Sequence, residues 1–74
     1  MTVGERIDAL IEDNDTSITE LAEYLKINPK QITRWKRNEQ EMGINKLRAI
    51  CLYYKVSADY ILGLPHDLTW PRFE

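Results

Sequence analysis

Two closely spaced helix-start signals constrain this chain more than any other feature. Ser17 is followed three residues later by Glu20, and Asn28 three residues later by Gln31. At that spacing the cap and third-position side chains can each bind a backbone N–H that the helix leaves unpartnered. Pro29, directly after Asn28, strengthens the second start, because proline at the first helical position forfeits no hydrogen bond. Only Lys26-Ile27-Asn28 separates the two amphipathic patterns within Ser17 to Arg37. So short a joint cannot fold two helices back antiparallel; they should cross steeply.

The flanks read as helices too. Thr2 with Glu5 opens one over about Val3 to Asp13, with Val3, Ile7, Leu10 and Ile11 on a core-facing stripe and Glu5, Asp8 and Glu12 opposite. The helix after Ser17 buries Ile18, Leu21, Ala22 and Leu25. The next, about Pro29 to Lys36, has only Ile32 and Trp35 as large apolar anchors, so a broad polar face is left outward. Gly43 can cap a helix from about Ile44 to Tyr54, with Ile44, Leu47, Ile50, Cys51 and Tyr54 as its stripe. Ser57 caps a last short helix, Ala58 to about Leu62, which Gly63 and Pro65 stop. No segment alternates with period two, so the expected class is all-α.

At 74 residues the chain makes one domain. Its net charge of −2 argues mildly against a polyanionic partner, but the charges are segregated. Lys26, Lys30, Arg34, Lys36 and Arg37 are half of the ten basic residues and enclose no acid. The acids gather at Glu5, Asp8, Glu12, Asp13 and Asp15, and again at Glu39 and Glu41. Local charge, not the total, decides what a surface binds.

The single cysteine, Cys51, excludes an internal disulfide, and with one histidine, His66, no cysteine/histidine metal site can form. Cys51 reads as a small buried residue and His66 as a surface residue. No apolar run is long enough to span a membrane, and no signal peptide is apparent. A free thiol suits the cytoplasm. Without paired carboxylates, a nucleophile–base set or a phosphate loop, an enzyme is not expected, nor is a cofactor or small-molecule ligand. The tail, Leu64 to Glu74, carries Leu68, Trp70 and Phe73 between Pro65 and Pro71. Two fates are open to it: folding back over the domain, or gripping a second subunit.

The chain resembles the Cro/C1-type helix-turn-helix domains of phage repressors and xenobiotic-response-element-like bacterial regulators. The likeness runs from Glu5 to Gly63. It rests on Leu21-Ala22 with Leu25 and Ile27, on Ile32 and Arg34-Trp35, and on the closing run Tyr54-Lys55-Val56-Ser57-Ala58-Asp59-Tyr60-Ile61-Leu62-Gly63. It implies a compact five-helix bundle of the lambda-repressor-like type over residues 1–63, followed by a tail, 64–74. It also implies a homodimer whose third helices enter the DNA major groove at two half-sites. There are departures. Ile18 stands where the family commonly has glutamine, and Lys26 where it usually has glycine in the turn. Glu39 and Glu41 replace basic or neutral residues.

On that resemblance, Lys30, Gln31, Thr33 and Arg34 are the base-reading residues, with Lys30 and Arg34 foremost. Arg34 can take guanine O6 and N7, Gln31 adenine N6 and N7, Lys30 guanine or a phosphate, and Thr33 the thymine methyl. Ser17 and Asn28, at helix starts, are expected to set backbone N–H groups against phosphates. Lys36, Arg37 and Asn38 are expected to clamp the backbone. Gln31 doubles as a capping side chain, and Trp35 reads as core. The expected function is sequence-specific, dimeric transcriptional regulation, with repression as the expected sign, on a pseudo-palindromic operator of double-stranded DNA. The alternative is a protein-interaction module, such as an antitoxin subunit, that presents the acidic first helix and aromatic tail to a partner protein.

Overall fold

The computed structural model describes residues 1–65, so His66, Leu68, Trp70 and Phe73, with both expectations for the tail, lie outside the described residues. Five α-helices and no strand are found among them: α1 (Val3–Asp13), α2 (Ile18–Leu25), α3 (Pro29–Lys36), α4 (Ile44–Tyr54) and α5 (Ala58–Leu62). The all-α expectation holds, and the boundaries fall where the capping signals put them. At α1 both halves of the capping box form: Thr2 Oγ1 accepts from the Glu5 N–H at 3.1 Å, and Glu5 Oε1 from the Thr2 N–H at 3.0 Å. That second bond, then the Thr2 hydroxyl, holds the Glu5 carboxyl below its ordinary pKa. At α2, Ser17 Oγ accepts from the Glu20 N–H at 3.0 Å. At α3 the box does not form. Asn28 Oδ1 takes the Lys30 N–H at 2.9 Å, one position earlier than a box requires, and the Gln31 side chain makes no capping bond among the described residues.

Each helix ends in a left-handed residue whose successor sends its N–H back five positions. Thr16 N–H reaches Ile11 O, Ile27 reaches Ala22, Glu39 reaches Arg34, Val56 reaches Cys51 and Leu64 reaches Asp59, all within 2.9–3.1 Å. This is the Schellman closure. Only Gly63, at φ 72°, is glycine; Asp15, Lys26, Asn38 and Lys55 hold φ of 53–59° with a β-carbon present.

The core joins Ile7, Leu10 and Ile11 of α1, Leu21, Ala22 and Leu25 of α2, Ile32 and Trp35 of α3, Ile50 of α4 and Ile61 of α5. Helix α1 packs on α3 and α5, α2 on α3 and α4, and α4 on α5. The stripe expected for α4 is only partly realised. Ile44 is 83% exposed, because it lies six residues before Ile50, about a third of a turn off that residue's direction. Lys46 does unexpected work on the same helix: its ammonium donates to the Leu25 carbonyl at 3.3 Å, closing the end of α2.

Candidate nucleic-acid interface

Helix α3 is divided lengthwise by its own sequence. Ile32 and Trp35 are 0% and 2% exposed, and they fix the helix against α1 and α2. Lys30, Thr33, Arg34 and Arg37 recur at helical spacing on the other side and together line a shallow cleft of about 220 Å³. Thr33 Oγ1 donates to the Pro29 carbonyl at 3.4 Å. Glu39 forms part of the same cleft. One carboxylate therefore sits among three cations. Gln31 is half-buried on the shoulder between this face and Trp35.

The residues expected to clamp phosphates divide into two groups. Arg37 is exposed and lines the cleft. Lys36 is turned toward α1, where its ammonium pairs with Asp8 Oδ1 at 2.9 Å. Asn38 faces α1 as well: its carboxamide oxygen accepts the Gly4 N–H at 3.1 Å, and its nitrogen donates to Thr2 Oγ1 at 3.0 Å. At the start of α2, the Ile18 and Thr19 N–H groups have no backbone acceptor among the described residues, so the Ser17 end can receive an anion. The Asn28 end cannot do so in the same way. Pro29 has no N–H, and the next two, on Lys30 and Gln31, already go to the Asn28 side chain and carbonyl. What Asn28 can offer there is its side-chain amide.

Two supports of α3 carry no local signal in the sequence. Gly4 is buried where α1 meets the end of α3; a β-carbon there would lie 2.6 Å from the Trp35 carbonyl oxygen and closer still to that of Lys36. Asp8 reads as one acid of a solvated face, and only the fold reveals Lys36 beside it. Trp35 is core as expected. Its indole nitrogen is buried without a hydrogen-bond partner among the described residues, out of reach of a phosphate.

A steeply patterned helix pair with an outward basic face defines a helix-turn-helix DNA-binding domain. The Cro/C1-type HTH DNA-binding domain model matches residues 6–67, and the chain belongs to that family. It is a DNA-binding domain of the transcription-regulator class, and its partner is double-stranded DNA. Among solved structures it is similar to the P22 c2 repressor protein in complex with synthetic operator 9T. That likeness has 27% identity and a TM-score of 0.78, over 84% of this chain and 94% of that one. It is also similar to a transcriptional regulator from Listeria innocua, with 19% identity and a TM-score of 0.81, over 92% of this chain and 64% of that one; this second likeness speaks to fold alone. No curated protein matches it significantly in sequence. Among the described residues no helix is long and apolar enough to cross a membrane.

Proposed function

We propose that the domain is a cytoplasmic repressor that binds a pseudo-palindromic operator as a homodimer, each copy laying α3 in the major groove. The observation that carries this reading is the cleft of Lys30, Thr33, Arg34 and Arg37 on the face of α3 opposite Ile32 and Trp35. In that pose Arg34 takes the O6 and N7 acceptors of a guanine, and Lys30 a neighbouring guanine or phosphate. Thr33 meets a thymine methyl. Gln31 reaches an adenine from the shoulder of the helix. Arg37 holds the sugar–phosphate backbone, joined by the open N–H groups behind Ser17 and by the Asn28 amide.

Lys36 and Asn38 take a different part from Arg37. They hold α3 to α1 and so set the angle at which the cleft meets DNA. A single short helix reads few base pairs, so two copies on half-sites about one helical turn apart supply the missing specificity.

Selection of bound sequences from random DNA, followed by gel shift at two salt concentrations, tests the reading. An enriched inverted repeat with affinity falling steeply in salt is the expected result. Unenriched pools and no salt-sensitive binding would remove it and favour the antitoxin-like interaction module.

A further inference from the structure

Helices α2 and α4 pack side by side and run in opposite directions. Lys46, in the first turn of α4, reaches the Leu25 carbonyl at the end of α2, and Tyr54, the last residue of α4, meets Thr16 just before α2. Between these ties the Tyr24 and Tyr53 rings pack at 4.4 Å and form a seam.

The two sides of the seam carry opposite charge. On α2, Glu20 and Glu23 are exposed at a spacing that puts them on one face. On α4, Ile44, Arg48, Leu52 and Lys55 recur at i, i+4, i+8 and i+11, again one face, and all four are exposed. Among the described residues none of these charges has an ion-pair partner; the ion pair found there joins Lys36 to Asp8. Apolar surface is open beside them, with Leu52 65% exposed, Ile44 83% and Tyr24 46%. Apolar exposure gathered on one face and rimmed by charge marks an interaction surface.

Symmetry selects the partner. A two-fold axis along the seam, parallel to the helices, lays α2 of one copy on α4 of the other, and each contact then occurs twice. Acid meets base on both sides, and Leu52 is covered. A two-fold axis across the helices would set α2 on α2 and α4 on α4, with like charges opposed. A face whose halves complement each other in this way fits a second copy of itself.

We infer that the α2–α4 face binds a second copy of this chain isologously, with Glu20 and Glu23 of each copy against Arg48 and Lys55 of the other. The face shares no residue with the cleft on α3, so the contact stands whether or not the operator reading does.

Sedimentation equilibrium of the full chain without DNA tests this, at protein up to roughly 1 mM and at two salt concentrations. Expected is a dimer that weakens in salt. The variant E20K/E23K makes both sides basic, and R48E/K55E makes both acidic. Each alone should be monomeric, and an equimolar mixture should regain the dimer mass, because acid and base meet again at both contacts. Circular dichroism checks that each variant is folded. Where charge reversal unfolds one, Leu52→Asp decides instead, and it should be monomeric. A monomeric wild-type chain, a dimer that survives in a folded variant, or a mixture of folded variants that stays monomeric would each overturn the assignment.

Discussion

The carboxamide oxygen of Asn38 accepts the backbone N–H of Gly4 at 3.1 Å, across thirty-four positions of sequence. The same Asn38 holds φ 58°, so one residue both closes α3 and fastens it to α1. Asn38→Gly keeps the left-handed backbone and removes the side-chain bonds to Gly4 and Thr2, a loss partly offset by the relief of a β-carbon at φ 58°. It should cost about 0.5–1.5 kcal/mol per bond lost. Chemical denaturation of the two proteins side by side measures it, and equal midpoints would refute the tie.

Gly4→Ala tests the close approach from the other side. The added β-carbon meets backbone carbonyls, which cannot swing away as a flexible side chain would. Overpacking of this kind should cost about 1–3 kcal/mol, and in a domain this small each kcal/mol lowers the melting temperature by about 4–8 °C. Thermal unfolding followed by circular dichroism reads it directly.

The cleft gives distinct outcomes for its members. Arg34→Ala should lose about 1–3 kcal/mol on the selected operator and relax preference at one base position, whereas Arg37→Ala should weaken all sequences alike and flatten the salt slope by about one. Lys36→Ala should do less than Arg37→Ala, because its charge is already paired with Asp8. Equal losses on operator and scrambled DNA for the Arg34 variant would show that this side chain reads no base.

Glu39 works against its neighbours. Removing the carboxylate from a cleft otherwise lined by Lys30, Arg34 and Arg37 leaves a more positive face toward phosphate. Glu39→Gln should therefore tighten binding to every sequence alike, most at low salt, and leave the ratio of operator to random affinity unchanged. Titration at two ionic strengths decides it.

Tyr54 sets an alkaline limit. Burial pushes its phenol above the ordinary value, and the hydroxyl lies 2.8 Å from Thr16 Oγ1, whose own proton goes to the Ile11 carbonyl. A raised folded-state pKa means that this contribution is complete below the unfolded phenol value, about 10, and is lost as pH rises through the folded one. Tyr54→Phe should lower stability near neutrality by about 0.5–1.5 kcal/mol and flatten the decline above pH 10. An unchanged alkaline limb in the variant would place the pH dependence elsewhere.

Lys26 holds φ 59° in the joint between α2 and α3. A left-handed residue with a β-carbon costs about 1–2 kcal/mol. Glycine relieves that and gives back part of it through a freer unfolded chain, so Lys26→Gly should gain about 0.5–1 kcal/mol. The denaturation midpoint should move upward with the slope unchanged.

Local chemistry was legible in the sequence, and distant partnership was not. Thr2, Ser17, Asn28 and Ser57 mark their helices because a cap acts within three residues of itself. Ile32 and Trp35 expose α3's outer face by their spacing alone. Ile44 misled, because the apolar stripe has no means of saying where the neighbouring helices stop covering it. Lys36 and Asn38 look like DNA clamps when read beside Arg37; their partners Asp8, Thr2 and Gly4 come from another helix and its cap. Lys46 gives no hint that it will close α2, since the carbonyl it meets lies twenty-one positions away.

The seat of Gly4 against Lys36 has a consequence in time. During synthesis, at about 5–20 residues per second, α1 emerges on the order of seconds before the helix that will cover it. Through that interval Ile7, Leu10 and Ile11 have neither α3 nor α5 to bury them. The α2–α3 pair, joined by a few residues, can assemble as soon as it is made. The apolar stripe of α1 thus waits first for α3 and then for α5, and until they arrive it is what a nascent chain shows to its surroundings.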